Sequence, residues 1–463
     1  LKHKNEIAIK TIQGDRGFKE ITTMIQGIKN GKTNDLHRIL LGVKELSVYS
    51  DKQETQVKFF NNSLNKEQKE AVIFCLNQEN LAIIHGPPGT GKTTTLIEII
   101  RQFIRLEKKI LICAPSNVAI DNLLNKLVEK EDQIIRIGDP IRVQEKMRKY
   151  TLEIASADEA INQKRARHRT LEATRKREGI DTEELRTERI NLAKQIKAWE
   201  TKTYTDKIKK AKAVLSTIMS ASCEKGPLKH VSKDHFNIIM IDESSQSKEI
   251  EAWLITQNIN KLILAGDYKQ LPPMIASKRA AEQGLEYTMM ERLIDTHGNK
   301  VVKTLTIQYR MNTAIMEWVS GKTYGNQLIA HSSIANQTLA DMDHVFKNQD
   351  TTIPLLFIDT AGSNMIEHRT NVSTGNHGEV GVVKTHLIKL MNAGLKQEEV
   401  AVITPYREQE KLIRQSLEGR YPKVEVTTID NFQGREKESV IISMVRSNNK
   451  NKIGFMKDVR RLT

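Results

Sequence analysis

Eight residues constrain this chain more than any other feature. They are Gly86-Pro87-Pro88-Gly89-Thr90-Gly91-Lys92-Thr93, a GxxxxGK[ST] pattern set between an apolar run at 81–85 and a helical pattern at 94–103. A strand, a glycine-rich turn and a helix in that order let backbone N–H groups and a helix N-terminus surround a phosphate. Lys92 is expected to reach the outer phosphate oxygens and the Thr93 hydroxyl to ligate Mg2+, with Thr94 continuing the phosphate-facing helix start. A second apolar run, 237–241, ends in Asp242-Glu243, which places two carboxylates at the carboxyl edge of the same sheet. Asp242 is expected to hold the metal and Glu243 to take a proton from an attacking water. Each pattern alone is weaker than the two together.

Around these motifs short apolar runs alternate with longer amphipathic segments, which is the sign of a parallel α/β fold. Runs at 81–85, 109–114, 236–241 and 261–265 predict one four-stranded RecA-like sheet. Runs at 354–359, 400–404, 424–429 and 439–445, with a helix over 379–392, predict a second α/β domain without a phosphate loop of its own. The fold class expected is therefore α/β, a P-loop NTPase with two tandem RecA-like parallel-sheet domains and a helical insertion in the first. Expected boundaries are a helical segment at 1–60 with a loop at 31–35, a first ATPase domain at 61–298, and a second domain at 299–463. The insertion, 142–212, carries 20 basic and 12 acidic residues, so eight of the chain's net charge of +15 lie there. Leu185, Leu192, Ile196 and Trp199 draw a narrow apolar seam along it, suited to an antiparallel helical hairpin. That hairpin is read equally as a solvated element packed on itself and as a nucleic-acid contact.

The basic balance, 72 Lys and Arg against 57 Asp and Glu, favours a polyanionic partner. No apolar run approaches the roughly 18 residues that span a bilayer, and the charged start Leu1-Lys2-His3-Lys4 does not fit a secretory leader. Cys75, Cys113 and Cys223 stand far apart, so they predict neither a disulfide framework nor a zinc site and suit a reducing compartment. An intracellular protein of cytoplasm, nucleus or both, free of membrane, is expected.

Further motifs follow in a telling order. They are Gln68 in Leu64-Asn65-Lys66-Glu67-Gln68, Ala114-Pro115-Ser116-Asn117, Asp242-Glu243-Ser244-Ser245-Gln246, and Gly266-Asp267-Tyr268-Lys269-Gln270-Leu271-Pro272-Pro273. Gln308-Tyr309-Arg310-Met311 and Asp430-Asn431-Phe432-Gln433-Gly434-Arg435-Glu436 complete the series. The set resembles the superfamily 1B ATP-dependent helicases of the nonsense-mediated-decay branch. Within that branch Gly226-Pro227-Leu228-Lys229, Ala330-His331-Ser332-Ser333 and Asp359-Thr360-Ala361-Gly362 make it most similar to the immunoglobulin mu-binding (Smubp) type.

The resemblance implies a monomeric motor that uses ATP and Mg2+ and moves 5′ to 3′ along single-stranded DNA or RNA. ATP would lie in a cleft between the two RecA-like domains. It implies that Gln68 pairs with the adenine edge, Tyr309 stacks on it, and Gln246 and Gln270 position the water and the γ-phosphate. Arg310 and Arg435 would offer planar donors to phosphate, with Glu436 near the ribose or the metal water. Pro115, Ser116, Asn117, Ser216, Thr217, Thr404, Tyr406, Arg407 and Thr428, at or just past strand ends, would grip successive phosphates of the strand with little base specificity.

The sequence ends at Gly454-Phe455-Met456-Lys457-Asp458-Val459-Arg460-Arg461-Leu462-Thr463, where family members continue into a motif that supplies an arginine finger. The chain is thus read as a fragment without that finger and without the family's preceding β-barrel, which would bind ATP but turn it over slowly. Two rival readings stand beside the motor. A chromosome-maintenance ATPase also carries a helical insertion at this place, but it requires a Ser-Gly-Gly signature before Asp242 that this sequence lacks. The other is a module that binds nucleotide and nucleic acid without efficient turnover.

Overall fold

The computed structural model describes residues 14–46, 57–179, 181–223, 226–232, 234–256, 259–450, 452–454 and 460, with backbone only for 14–20. Two compact units result. The first comprises Leu1–His85, Lys92–Tyr268 and Pro272–Thr304; the second comprises Gly86–Gly91, Lys269–Leu271 and Leu305–Thr463.

The first unit is built on seven parallel strands: β1 (Leu81–His85), β2 (Ile110–Ala114), β3 (Ile134–Ile137), β4 (Ala213–Thr217), β5 (Ile238–Ile241), β6 (Lys261–Gly266) and β7 (Val302–Thr304). Their order across the sheet is β3-β4-β2-β5-β6-β1-β7. Central strands such as Leu81-Ala82-Ile83-Ile84 are aliphatic without a break because helices cover both faces of a parallel sheet. The four expected strands are present, and three more join them. Each of the three hides its apolar pattern: Arg136 interrupts β3, β4 follows a lysine-rich helix directly, and β7 is a half-buried edge strand containing Lys303.

Helices Gly14–Lys29 and Asp35–Leu40 belong to this unit and form no separate body, since Met24, Leu36 and Leu40 lie in the same core as Trp253, Met290 and the sheet. Asn34 caps the second helix through the His37 N–H (2.8 Å). Residues 1–13 and 47–56 of the expected helical segment lie outside the described residues.

Between β3 and β4 two long helices, Glu159–Glu178 and Glu183–Lys210, pack together as a hairpin whose reversal uses Gly179 at φ 69°. Leu185, Leu192, Ile196 and Trp199 are all half-buried. Ion pairs cross the hairpin as well, Arg165–Glu200 at 2.9 Å, Arg189–Glu172 at 2.7 Å and Arg167–Glu188 at 2.8 Å. Some of the basic side chains are therefore paired inside the hairpin, while Lys164, Arg169, Lys176, Arg177, Lys194 and Lys197 are exposed.

The second unit holds two-residue pairs, β8 (Ile307–Gln308) with β9 (Ile329–Ala330) and β10 (His368–Arg369) with β11 (Thr374–Gly375). Its main sheet is β12 (Val400–Thr404) between β13 (Glu425–Thr428) and β14 (Ser439–Ile442), all parallel. Helices His377–Asn392 and Arg407–Leu417 cover it through Val383, Leu387, Leu390, Ile413 and Leu417. The run 354–359, expected as a strand, is irregular, and Leu355, Phe357 and Ile358 are exposed. An apolar run becomes a strand only where a neighbour supplies hydrogen bonds, and among the described residues no strand pairs with it.

Candidate nucleotide and nucleic-acid site

β1 ends at His85, and the chain turns through 86–91 into the helix Lys92–Arg105, two residues earlier than the sequence pattern predicts. The turn requires its glycines: Gly89 and Gly91 have φ of 73° and 77°, which side chains resist. Thr90 closes it, its hydroxyl donating to the Pro87 carbonyl at 2.7 Å. Thr93 and Thr94 occupy the first helical turn and are partly exposed.

Lys92 bridges both acids of the second motif. Its Nζ donates to Asp242 Oδ1 at 2.8 Å and to Glu243 Oε1 at 2.5 Å. Burial alone would pull the ammonium down, but the two carboxylates outweigh it and hold Lys92 above its ordinary value. Lys92, Asp242 and Glu243, far apart in sequence, thus meet within hydrogen-bond distance. Glu243 has φ 52° and ψ 38°, a left-handed conformation that costs a non-glycine residue about 1 kcal/mol or more and tends to mark functional positions. Gln246 lies on the short turn that follows, its amide donating to Glu243 Oε2 at 2.9 Å. Gln270 stands partly exposed in the loop after β6.

Gln68 is buried at the start of helix Lys66–Asn77, where it forms a capping box: its Oε1 accepts from the Asn65 N–H at 3.0 Å while Asn65 accepts from its own N–H at 2.8 Å.

Within the second unit the Tyr309 N–H donates to the Gly89 carbonyl at 2.8 Å, and the Tyr309 ring lies 4.6 Å from His331. Arg310 Nε donates to Glu436 at 2.6 Å, and Arg435 pairs with Glu425. Arg310, Arg435 and Glu436 are all exposed.

The residues expected to grip a strand divide by exposure. Ser116 and Arg407 are open to solvent, and Pro115, Asn117 and Thr217 partly so. Ser216, Thr404, Tyr406 and Thr428 are buried, with Ser216 and Thr404 showing no exposed surface. Two of these residues serve as helix caps, Ser116 for Asn117–Leu127 and Thr217 for Ile218–Ala221. Sequence reasoning missed Arg136. It is fully buried in β3, pairs with Asp121 at 3.2 Å, and through Nη2 fixes the Asn117 amide oxygen at 2.7 Å. A lone arginine inside an aliphatic strand is the signal that could have found it.

A glycine-rich turn between strand and helix, with a lysine held by two acids at the end of another strand of the same sheet, defines a P-loop NTPase. Models described as AAA domain match residues 63–278 and 285–463. The chain is 39% identical over 478 residues to the DNA-binding protein SMUBP-2 of Rattus norvegicus, spanning all of this chain and 48% of that protein. It is 34% identical to the DNA polymerase alpha-associated DNA helicase A of Schizosaccharomyces pombe, across 93% of the chain and 66% of the relative. To an uncharacterised ATP-dependent helicase of Methanocaldococcus jannaschii it is 31% identical, across 99% of the chain and 74% of that protein. The chain belongs to this family of superfamily 1 ATP-dependent helicases, and it spans about half the length of the SMUBP-2 relatives.

Proposed function

We propose that the chain is the motor of an ATP-dependent helicase that moves 5′ to 3′ along single-stranded DNA or RNA. The observation that carries this reading is the convergence of Lys92 with Asp242 and Glu243, at 2.8 and 2.5 Å, at the start of the helix that follows the glycine turn. The donor set fits magnesium: a hydroxyl from Thr93 and a carboxylate from Asp242 are hard oxygen ligands, and the ion would neutralise charge on the phosphates. ATP would draw Lys92 onto its β and γ oxygens, which separates Glu243 from its cation and leaves that carboxylate able to accept a proton from water. Gln246 and Gln270 would orient that water and the γ-phosphate, and Arg310 and Arg435 would meet the charge that develops on the transferring group. Gln68 and Tyr309 would hold the adenine, and Glu436 the ribose or the metal water.

For the strand, the exposed set Ser116 and Arg407, with Pro115, Asn117 and Thr217, would make the first phosphate contacts. The buried Ser216, Thr404, Tyr406 and Thr428 would act from beneath by shaping strand ends. The net charge of +15 supports a polyanionic partner. The chain would work as a monomer inside the cell, in cytoplasm or nucleus, a compartment in which the free thiols of Cys75, Cys113 and Cys223 would stay reduced.

The test is strand-stimulated ATP hydrolysis together with unwinding of duplexes that carry a 5′ or a 3′ overhang. Stimulation with a preference for the 5′ overhang supports the reading. Nucleotide and strand binding without stimulated turnover would leave a binding module instead.

A further inference from the structure

β1 is aliphatic until its last residue, His85, which is 4% exposed and stands in register with Gly266 at the end of β6. His85 Nε2 lies 2.9 Å from Asp267 Oδ1, on the residue that follows Gly266. Asp267 is equally buried, at 4%. A carboxylate offers only acceptors, so the Nε2–H donates, and Nδ1 faces the Thr304 hydroxyl at 3.4 Å. The Tyr268 ring covers the imidazole at 4.6 Å.

A third segment joins the pair. The Asp267 N–H donates to Ser245 Oγ at 3.3 Å, and a Cβ on Gly266 would stand only 3.1 Å from both the Ser245 nitrogen and its hydroxyl. Ser245 lies on the turn between Glu243 and Gln246. The residue before Gly86, the residue three before Gln270, and the turn carrying Glu243 and Gln246 are therefore pinned to one another by buried polar contacts. An aliphatic pair would fill the same space without desolvating a carboxylate, so core packing alone does not account for the choice.

We propose that His85 and Asp267 are positioning residues whose buried bond fixes the strand leading into the phosphate turn against the segment carrying Gln270, and so sets how the site responds to a γ-phosphate. The proposal rests on the ATP reading above. Neither residue touches nucleotide in this scheme; both act through the segments that do.

The experiment compares the affinities of ADP and of a non-hydrolysable ATP analogue, each with magnesium, in the full chain and in His85→Ala, His85→Gln and Asp267→Asn. Single-turnover hydrolysis is followed in parallel, and each variant is checked by thermal unfolding. Gln offers its Nε2 amide close to where the imidazole Nε2 stands, so it serves as the rescue variant. The expected result is that His85→Ala keeps ADP affinity within about threefold but lowers the preference for the triphosphate, and slows hydrolysis, by about ten- to a hundredfold. His85→Gln should recover most of both, and Asp267→Asn should fall between. Unchanged triphosphate preference in a folded His85→Ala overturns the proposal, as does equal loss of ADP and analogue affinity, which would mark a purely structural pair. His85→Gln behaving like His85→Ala also overturns it. Failure of the unmodified chain to bind either nucleotide is a different result, because it removes the ATP reading itself.

Discussion

The cations of the two units are held in opposite ways. In the first, Lys92 is half-buried, its side chain 12% exposed, and bridges Asp242 and Glu243, while Arg136 has no exposed surface and rests on Asp121. In the second, Arg310 and Arg435 pair with Glu436 and Glu425 at the surface, where Arg310 is 38% and Glu436 67% exposed. A buried pair is rigid and costly to break, while an exposed one is worth about 0–1 kcal/mol and exchanges partners readily. The first unit thus holds its cations in place unless a more highly charged anion competes for them. The second keeps guanidinium groups that can leave one carboxylate for another anion.

The largest effect that tests this contrast is chemical. Glu243→Gln should lower strand-stimulated hydrolysis by about 10² to 10⁴ while preserving ATP binding, because it removes the proposed proton acceptor and leaves Lys92 in place. Lys92→Ala should lose ATP binding itself. Fluorescent-nucleotide titration beside phosphate release separates the two, and wild-type turnover in Glu243→Gln would remove Glu243 from its role.

Next comes stability. Replacing Arg136 with Met strands Asp121 in the core and should cost about 3–5 kcal/mol in chemical denaturation. Glu436→Gln, which breaks an exposed pair, should change stability by less than about 1 kcal/mol. Comparable losses in both would end the distinction between fixed and exchangeable cations.

The hairpin Glu159–Glu178 and Glu183–Lys210 lies between these extremes, since several of its arginines are paired across the helices while other cations are exposed. Replacing it with a short Gly-Ser linker should weaken single-strand binding and lower the slope of log affinity against log salt by about 0.7 for each phosphate no longer neutralised. An unchanged slope would mean that its charges serve the hairpin alone.

The smallest effect is on pH dependence. Burial holds His37 below its ordinary value of 6.5, against the opposing hydrogen bond to the Thr256 carbonyl at 3.1 Å. Since the folded state disfavours the charged form, the contribution of His37 is complete above the unfolded pKa and is lost as pH falls through the lower folded value. Thermal stability should weaken as pH falls below about 6.5, and less so in His37→Gln. His297, also held low by burial, adds in the same direction.

Much of this molecule was written in local pattern. The glycine turn, the acids after β5 and the uninterrupted aliphatic strands are legible because backbone freedom, strand burial and phosphate chemistry each demand particular residues at fixed spacing. Three strands were not legible, because Arg136, the lysine-rich approach to β4 and the edge position of β7 mask the hydrophobic period. The run 354–359 erred the other way, with strand-like composition and no described partner. The sequence could list Lys92, Asp242, Glu243 and Gln246 as one site, because Lys92 stands in the glycine motif and the other three share the motif that follows the apolar run 237–241. Their distances, the strained backbone of Glu243, the burial of Ser216 and Thr404, and the links from His85 to Asp267 and from Arg136 to Asn117 were decided by tertiary structure. Those two links join residues 182 and 19 positions apart, and only the packing of strands can bring such residues together.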